Sequence, residues 1–596
     1  MKNWLGVVAV FLAAILFSGC SKKAESVSSE NSATNYPLPD PPLVADCNPG
    51  IRGGRLVIAE PGDPKTFNPI TANESSSQDI YRFFFASLLG DDPVAQGVTP
   101  GLAYEWTNLP DGRTWTFKLR KNLFWSDGQP LTADDVVFTC NDLIYNTNIN
   151  PVMADALQVD GKNFVVTKID DWTVQVVTPE IYAPFLEAFG AGVPIMPKHI
   201  LEKTVADGTF NSAYGINWKS EDIICSGPYK IRQYESGDHI LLERNPYFCE
   251  TDTNGTRLPY FDNIVFTIVP DRSAISLRFL SGECDVHDFI YADEYDKFKA
   301  KSANGKFNLL EPGIGLETDF FWFNENTGTN KDGKPIVDPK KLKWFRNEKF
   351  RQACAYAIDR DAIIKSVFSG RAIPNCGFVT PGNKKWFNPN TAQYSYNLAK
   401  ARELLKEIGI EDRDGDGILE DADGNKIEFV FNTNIENNSR NKAAVLIQAD
   451  LQKLGFKVVF QPVEFNTLVH KIDDTYDYDC VLMGLAGGGA DPAFQANVLK
   501  SSGFTHQWFP RQKAPSTEWE ARIDQLMDAQ VKTLDFAERK KDFDEVQQIL
   551  AEEQPMIFTV TPYYYAAARA DIGNLKPTAL SYYRVSWNAE ELYFKK

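Results

Sequence analysis

The chain has 596 residues, with 62 Lys and Arg against 80 Asp and Glu, a formal charge of −18 and 43% hydrophobic positions. It is too long for a single core and too apolar for disorder, so two or three packed units are expected. The dispersed acidic excess argues against nucleic acid or an anionic membrane surface as a partner, and only five histidines disfavour His-based catalysis or a multi-His metal site.

Met1-Lys2-Asn3-Trp4 carries one positive charge and precedes an apolar or Gly run from Leu5 to Phe17, which ends at Ser18-Gly19-Cys20. The run falls short of the ~20 residues that span a bilayer and lies within the ~7–15 of a signal-peptide core. Small residues before a Cys resemble the lipobox cut by bacterial signal peptidase II, with Phe17 where that pattern prefers Leu. The expectation is a lipoprotein signal peptide over 1–19, a lipidated Cys20, and attachment to the membrane through the lipid only. The plainer alternative is a secreted protein with a chance Cys. Residues 20–52 read as the lipidated Cys and a flexible tether, because Ser21 to Pro42 is polar and then Pro-rich.

Eight further Cys follow without a CxxC, so their pairing stays open. Cys284, Cys354 and Cys480 stand at apolar-patterned positions and read as buried free thiols.

In chain order, Gly54 to Ala59 reads as an opening strand closed by the turn formers of Glu60-Pro61-Gly62-Asp63-Pro64. Apolar and polar residues alternate from Thr114 to Leu119, which predicts a half-buried strand. Thr132 can cap a helix from Ala133, with Asp135 at the capping-box position. Tyr229 to Ile231 and Ile240 to Glu243 read as a strand pair, and Ile264 to Val269 alternates. Helical spacing marks Arg272 to Ser281, with Gly282 as its C-cap, and Phe350 to Phe368. Ala399 to Ile408 and Lys442 to Leu454 read as helices, followed by strands Ile427 to Phe431 and Phe456 to Phe460. Such alternation predicts an α/β architecture.

Five blocks in order resemble family 5 of the extracellular solute-binding proteins, the peptide, dipeptide and nickel class that feeds bacterial ABC importers. They are GGRLVIAEPGDPKTFNP (53–69), PGLAYEWTNLPDGRTWTFKLRKNLFWSDGQPLTADDVVFT (100–139), SGPYKIRQYESGDHILLERNPYF (226–248), DNIVFTIVPDRSAISLRFLSGECDV (262–286) and FRQACAYAIDRDAIIKSVFSGRA (350–372). The resemblance implies an α/β, two-lobed periplasmic-binding-protein (Venus flytrap) fold. It places lobe I at 53–310 plus 558–596, an extra subdomain inserted in lobe I at about 85–215, and lobe II at 314–555. It also implies a monomer that closes on a small-molecule or peptide ligand and hands it to an ABC permease and ATPase complex, on the periplasmic side of a bacterial membrane or at the cell surface. No catalysis and no required cofactor are implied.

Within that resemblance the ligand-bearing stretch is Met483 to Phe494, a strand running into a Gly-rich loop where missing side chains let ligand reach the backbone. It is similar to the family's GW-x-x-D-x-x-DP segment: Gly484 and Asp491-Pro492 match, but Leu485 replaces the Trp, and Gly488 stands where peptide binders place an Asp for the peptide's α-ammonium. Recognition of a free amino end at this loop is therefore not expected, since a buried unpaired ammonium is costly. The expected ligand-lining residues are Glu74, Ser75, Trp386, Leu485, Gly487, Gly488, Gly489 and Asp491. Simpler roles are a turn for Asp491 and the glycines and plain packing for Trp386. The solute is expected to be an oligopeptide; the alternatives are an oligosaccharide or a sensory or adhesive surface lipoprotein.

The stretch 412–423 (DRDGDGILEDAD) carries oxygens at loop positions 1, 3 and 5, a Gly at 6, a carbonyl at 7 and a carboxylate at 12. That spacing suits Ca2+, with Asp412, Asp414, Asp416, the Ile418 carbonyl and Asp423 as ligands and a structural role. A solvated acidic turn is the alternative. GxSxG and HExxH are absent from the sequence, and the five His are scattered, so a hydrolase is disfavoured.

Overall fold

The computed structural model describes residues 36–596 other than 73, 150, 160 and 486–488. The expected Cys20, Gly487 and Gly488 lie outside the described residues. Among those described, no helix is long and apolar enough to cross a membrane.

Two large sheets organise the chain. In the first, the strands run in the order Tyr229–Glu235, His239–Arg244, Asn263–Ile268, Arg55–Glu60, Val286–Ile290, Val560–Arg569 and Phe307–Ile314. The opening strand is central, parallel to both Asn263–Ile268 and Val286–Ile290. In the second sheet the order is Lys457–Val463, Glu428–Asn434, Cys480–Gly484, Asp319–Phe323 and Ile557–Phe558. Its strand Asp-Phe-Phe-Trp-Phe is apolar at four successive positions because both faces are covered. Phe321 and Phe323 enter one core with Phe429 and Phe431, while Phe320 and Trp322 enter the opposite one with Val481 and Trp386.

The chain passes twice between the sheets, from Phe307–Ile314 to Asp319–Phe323 and from Ile557–Phe558 to Val560–Arg569. The crossings lie side by side: Thr559 donates N–H and Oγ1 to the Asp319 carbonyl at 3.0 and 2.8 Å, and Thr318 Oγ1 donates to the Val560 carbonyl at 3.3 Å. Nearby, the buried Arg360 guanidinium donates to the carbonyls of Ala355, Asn375, Tyr394 and Phe558. One rigid five-donor fork thereby collects backbone acceptors from four segments next to the crossing.

A separate four-stranded antiparallel sheet, in the order Ala103–Asn108, Thr114–Leu119, Thr173–Val177 and Val165–Asp170, belongs to the stretch of chain between the main-sheet strands Arg55–Glu60 and Tyr229–Glu235. Its alternating strand Thr114–Leu119 has the predicted bounds. The helix that follows, Ala133–Phe138, is capped as its sequence requires: Asp135 Oδ2 accepts from Thr132 N–H at 2.9 Å and Thr132 Oγ1 from Asp134 N–H at 3.3 Å. Helix Arg272–Ser281 ends at Gly282, whose φ of +89° is the left-handed conformation of a C-cap.

Two expectations are corrected. The single helix over Phe350 to Phe368 is two, Glu348–Ala357 and Arg360–Val367, because Asp359 leaves helical geometry and caps the second by accepting from Ala362 N–H at 2.9 Å. The tether does not extend to residue 52. Strand Leu43–Val44 pairs with Glu250–Thr251, Ala45 is buried, and Arg120 Nη1 donates to the carbonyls of Pro41 and Pro42 at 2.7 and 2.8 Å. A Pro-rich stretch has few N–H groups to offer a sheet but keeps its carbonyls, and a buried arginine satisfies them. The eight Cys from Cys47 onward are all free; Cys284, Cys354 and Cys480 are buried, as expected of inert thiols.

Candidate functional site

Register builds the site. Asp319 pairs with Gly484, which sets Thr318 beside Leu485 at one end of these two inner strands of the second sheet, next to the two crossings. Leu485, Gly489 and Ala490 line a cavity of about 60 Å³ together with Leu316, Thr318, Phe320, Phe378, Val379, Thr380 and Asn383. Its wall is apolar with a few polar tips, the composition of a site that takes varied ligands and orients them by backbone contacts.

The loop carrying Thr380 and Asn383 is held against the crossing. Thr380 Oγ1 donates to the Gly315 carbonyl at 2.5 Å, and Asn383 Nδ2 donates to the Ala490 carbonyl at 2.8 Å, tying this loop to the Gly-rich one. Gly382 makes the approach feasible, since a Cβ there would lie 2.3 Å from the Ile314 carbonyl oxygen and 2.7 Å from that of Gly315.

The expected site residues divide. Leu485 and Gly489 line the cavity. Asp491 is not presented to solvent: it is 4% exposed, its Oδ1 accepts from Ala493 N–H at 2.9 Å and from Arg539 Nη2 at 2.7 Å, and its Oδ2 is enclosed without a hydrogen-bond partner. It is the cap of the turn Pro492–Gln495 and half of a buried ion pair. Trp386 was expected to present an indole face, yet it is wholly buried. Phe536 and Phe543 meet it edge-on at 5.0 and 5.8 Å, and the Arg539 guanidinium stands 5.0 Å from its ring centroid. Packing is the role the structure gives it, because the helix Phe536–Glu553 supplies the covering side chains.

In the first lobe, Glu74 precedes helix Ser75–Tyr81 and Ser75 is its exposed first residue; neither lines the cavity. The Glu74 carboxylate accepts from Ser77 Oγ, which itself accepts from Lys65 and Thr66 N–H at 3.0 and 3.1 Å and so fastens the turn after the opening strand. Beside it stand two buried carboxyls the sequence did not flag. Glu60 is pushed up to about 8, chiefly by burial and further by Asp79, against hydrogen bonds from Tyr583 and Tyr582; Asp79 is pushed up to about 7 by burial.

Contacts close the gap between the inserted antiparallel sheet's neighbourhood and the second lobe. Ala183 N–H donates to the Val531 carbonyl at 2.8 Å, Gln96 Nε2 to the Gly382 carbonyl at 3.2 Å, and Lys385 lies 4.0 Å from Glu187. Burial, with Asp491 nearby, pushes the Glu187 carboxyl up and the Tyr182 phenol to about 12. Sequence reasoning also missed Glu317, an exposed carboxylate between the lining residues Leu316 and Thr318, which accepts from Tyr564 Oη at 2.8 Å. Nor did the residues of Thr380-Pro381-Gly382-Asn383 signal that Asn383 would face Ala490.

In the acidic loop, one carboxylate oxygen each from Asp412, Asp414, Asp416 and Glu420 lies within 4.8 Å of the others. Asp423 is not among them: it is exposed and its Oδ2 accepts from Lys343 Nζ at 2.9 Å. The chain turns back at Glu420, which bridges to both Glu411 and Lys426, so position 9 rather than position 12 faces the cluster.

The chain's likenesses agree with this geometry. The family profile described as "Bacterial extracellular solute-binding proteins, family 5 Middle" matches residues 97–506. A "Probable ABC transporter-binding protein" of Deinococcus radiodurans is 30% identical over 532 residues, 85% of this chain and 86% of that one. The "Oligopeptide-binding protein AppA" of Bacillus subtilis is 27% identical over 588 residues, 97% of this chain and 95% of that one. The solved structure of AppA in complex with a nonapeptide superposes with a TM-score of 0.71 at 26% identity, covering 92% of this chain and 100% of that one.

Proposed function

The chain belongs to family 5 of the bacterial extracellular solute-binding proteins, a family of transport binding proteins and not of enzymes, and from that membership we propose that it captures an oligopeptide between its lobes and delivers it to an ABC importer. The observation that carries the reading is the cavity at the crossing. Its apolar wall of Phe320, Phe378 and Leu485 accepts varied side chains, and the exposed backbone of Gly489 offers hydrogen bonds of the kind a peptide backbone makes, the Thr318, Thr380 and Asn383 side chains being already tied to the Val560, Gly315 and Ala490 carbonyls. A cavity of about 60 Å³, lined by residues of the second lobe and the crossings, is far smaller than the ~300–1,000 Å³ of a ligand pocket, so a peptide enters by opening of the lobes and closing around it. Likeness over nearly the whole chain to AppA, whose structure holds a nonapeptide, supports the same ligand class.

The amino end of the ligand is not recognised at the Gly-rich loop. Met483 to Ala490 contains no Asp or Glu, and the Asp491 carboxylate already serves Arg539. A free α-ammonium is left solvated, or pairs with a carboxylate elsewhere, the exposed Glu317 or the half-buried Glu74. An oligosaccharide is the weaker reading, since stacking on the sugar relied on the Trp386 indole, which is buried. We further propose that Cys20 anchors a monomer to the membrane by its lipid, on the evidence of the apolar run before Ser-Gly-Cys.

Calorimetry against free peptides, N-acetylated peptides and a panel of oligosaccharides tests the ligand. Binding of peptides whether or not they are acetylated, and none of the sugars, is the expected result; loss on acetylation with the ammonium at the loop overturns the amino-end argument, and binding of sugars alone overturns the peptide reading. Cys20→Ala is expected to release the protein from membranes or block processing, and unchanged detergent partitioning refutes the anchor.

A further inference from the structure

We propose that the loop 412–420 is a Ca2+ site that fastens the second lobe. Four carboxylates converge there, and acidic side chains gathered on a surface turn would by themselves signify only solvation. The distinguishing feature is Glu420. It is 4% exposed, and its Oε1 is enclosed and accepts no hydrogen bond, although the residue sits in the same cluster as Asp412, Asp414 and Asp416. Its other oxygen, Oε2, is held by Arg413 N–H at 2.9 Å, so the carboxylate is oriented with one oxygen committed to the backbone and one left over. A buried carboxylate oxygen without a donor is costly unless a cation meets it.

The loop geometry prepares the rest of the shell. Asp412 accepts from Gly415 and Gly417 N–H at 2.7 and 3.1 Å, Asp414 Oδ1 from Asp416 N–H at 3.1 Å, and Asp416 Oδ1 from Ile418 N–H at 2.9 Å. Asp414 and Asp416 each keep their Oδ2 out of these backbone bonds, and both turn it to the Lys426 ammonium, which lies 3.3 Å from Asp414 and also contacts Asp416. The same ammonium stands 3.8 Å from Glu420 Oε1. Lys426 therefore acts as a stand-in cation among three of the four carboxylates, and a divalent ion would displace it.

The size fits Ca2+. Oxygens bound at ~2.3–2.6 Å stand at most ~5 Å apart across the ion, and the four carboxylate oxygens here lie within 4.8 Å of one another. The Ile418 carbonyl, at the seventh position, and water would bring the shell to the six or more oxygens Ca2+ takes. Mg2+ demands a tighter octahedron at ~2.0–2.1 Å and gives up its water reluctantly, which suits an open set of carboxylates less well.

The place in the fold gives the ion its role. Leu419 N–H donates to the Gly455 carbonyl at 2.8 Å and Ile427 N–H to the Leu419 carbonyl at 2.8 Å, so the loop joins the end of helix Asn438–Leu454 to the approach of strand Glu428–Asn434. Asp421, next to Glu420, anchors the loop to the core by accepting from Trp344 Nε1 at 2.9 Å. An ion at 412–420 pins that junction from the solvent side.

Thermal unfolding of the full chain with chelator, with about 1–10 mM Ca2+ and with the same Mg2+ tests this, since extracellular Ca2+ modules bind at ~10⁻⁴–10⁻³ M. Ca2+ is expected to raise the melting temperature by about 5 °C over chelator, more than Mg2+ does. Asp414→Asn, at an exposed position, is expected to fold and abolish the rise; Glu420→Gln is expected to abolish it as well. Lys426→Met removes the competing ammonium and is expected to tighten Ca2+ binding by calorimetry about fivefold or more while lowering the melt in chelator. Identical melts in Ca2+ and chelator, or calorimetry with no Ca2+ binding to the wild-type chain, overturns the proposal; equal stabilisation by Mg2+ overturns the choice of ion, and a Ca2+ rise retained in Asp414→Asn overturns the site.

Discussion

Arg539→Met isolates the ion pair that holds the Gly-rich loop. Arg539 and Asp491 are 7% and 4% exposed at the side chain and 2.7 Å apart, and Arg539 also donates to the Gln530 carbonyl at 2.9 Å. Removing one partner of a buried pair strands the other charge, at about 3–5 kcal/mol. Loss of the guanidinium over Trp386 adds about 0.5–2 kcal/mol, although the two terms overlap because the same group supplies both. The expected destabilisation is therefore about 4 kcal/mol. In the double variant Arg539→Met with Asp491→Asn, the stranded charge is gone and the amide oxygen still accepts from Ala493 N–H, so about 2 kcal/mol should return. Urea unfolding followed by tryptophan fluorescence reads both, since Trp386 and Trp508 lie in the same core. Peptide affinity should fall in the single variant and partly recover in the double, because Pro492, beside Asp491, and Gly489 line the cavity. A loss under about 1 kcal/mol in the single variant, or strictly additive losses in the double, would refute the reasoning.

Glu60 gives a pH dependence. Its folded value of about 8 lies above its ordinary 4.5, so the native state holds an extra proton in that window and stability from this group is greatest below it and falls as pH rises towards about 8. Glu60→Gln is expected to flatten that decline and raise stability at pH 8 by a few kcal/mol at ~1.36 kcal/mol per pK unit, and parallel pH–stability curves for the two proteins would count against it. Gly382→Ala places a methyl on the Ile314 and Gly315 carbonyls and is expected to cost about 1–3 kcal/mol and weaken peptide binding tenfold or more, whereas the same change at Gly208, whose Cβ meets nothing, should leave binding unchanged. Arg360→Lys exchanges a fork that reaches four backbone carbonyls for a point charge, and denaturant unfolding should show a loss of about 2–4 kcal/mol; an unchanged midpoint would mean the carbonyls find other donors.

The features legible from residue order alone are local in range or carried by composition. Alternation gave the strand Thr114–Leu119 its bounds, a Thr with Asp three residues on gave the capped helix Ala133–Phe138, and Gly282 gave a helix its end, because each signal and its consequence lie within one turn or one strand of each other. The Asp412, Asp414 and Asp416 spacing was legible for the same reason. The tertiary structure decided what depends on partners far along the chain. Asp491 could not be told from a ligand-binding carboxylate until Arg539, 48 residues later, was seen to occupy it. The Trp386 indole could not be known as covered until the helix carrying Phe536 and Phe543 packed over it. Leu43–Val44 reads as part of a tether until Glu250–Thr251 supplies an edge and Arg120 the donors. Glu420 displaces Asp423 from the acidic cluster because the loop closes on Glu411 and Lys426 through backbone bridges that residue spacing does not encode. A side chain's type fixes what it can bind; which of its atoms remain unpaired is settled only when distant segments pack against it.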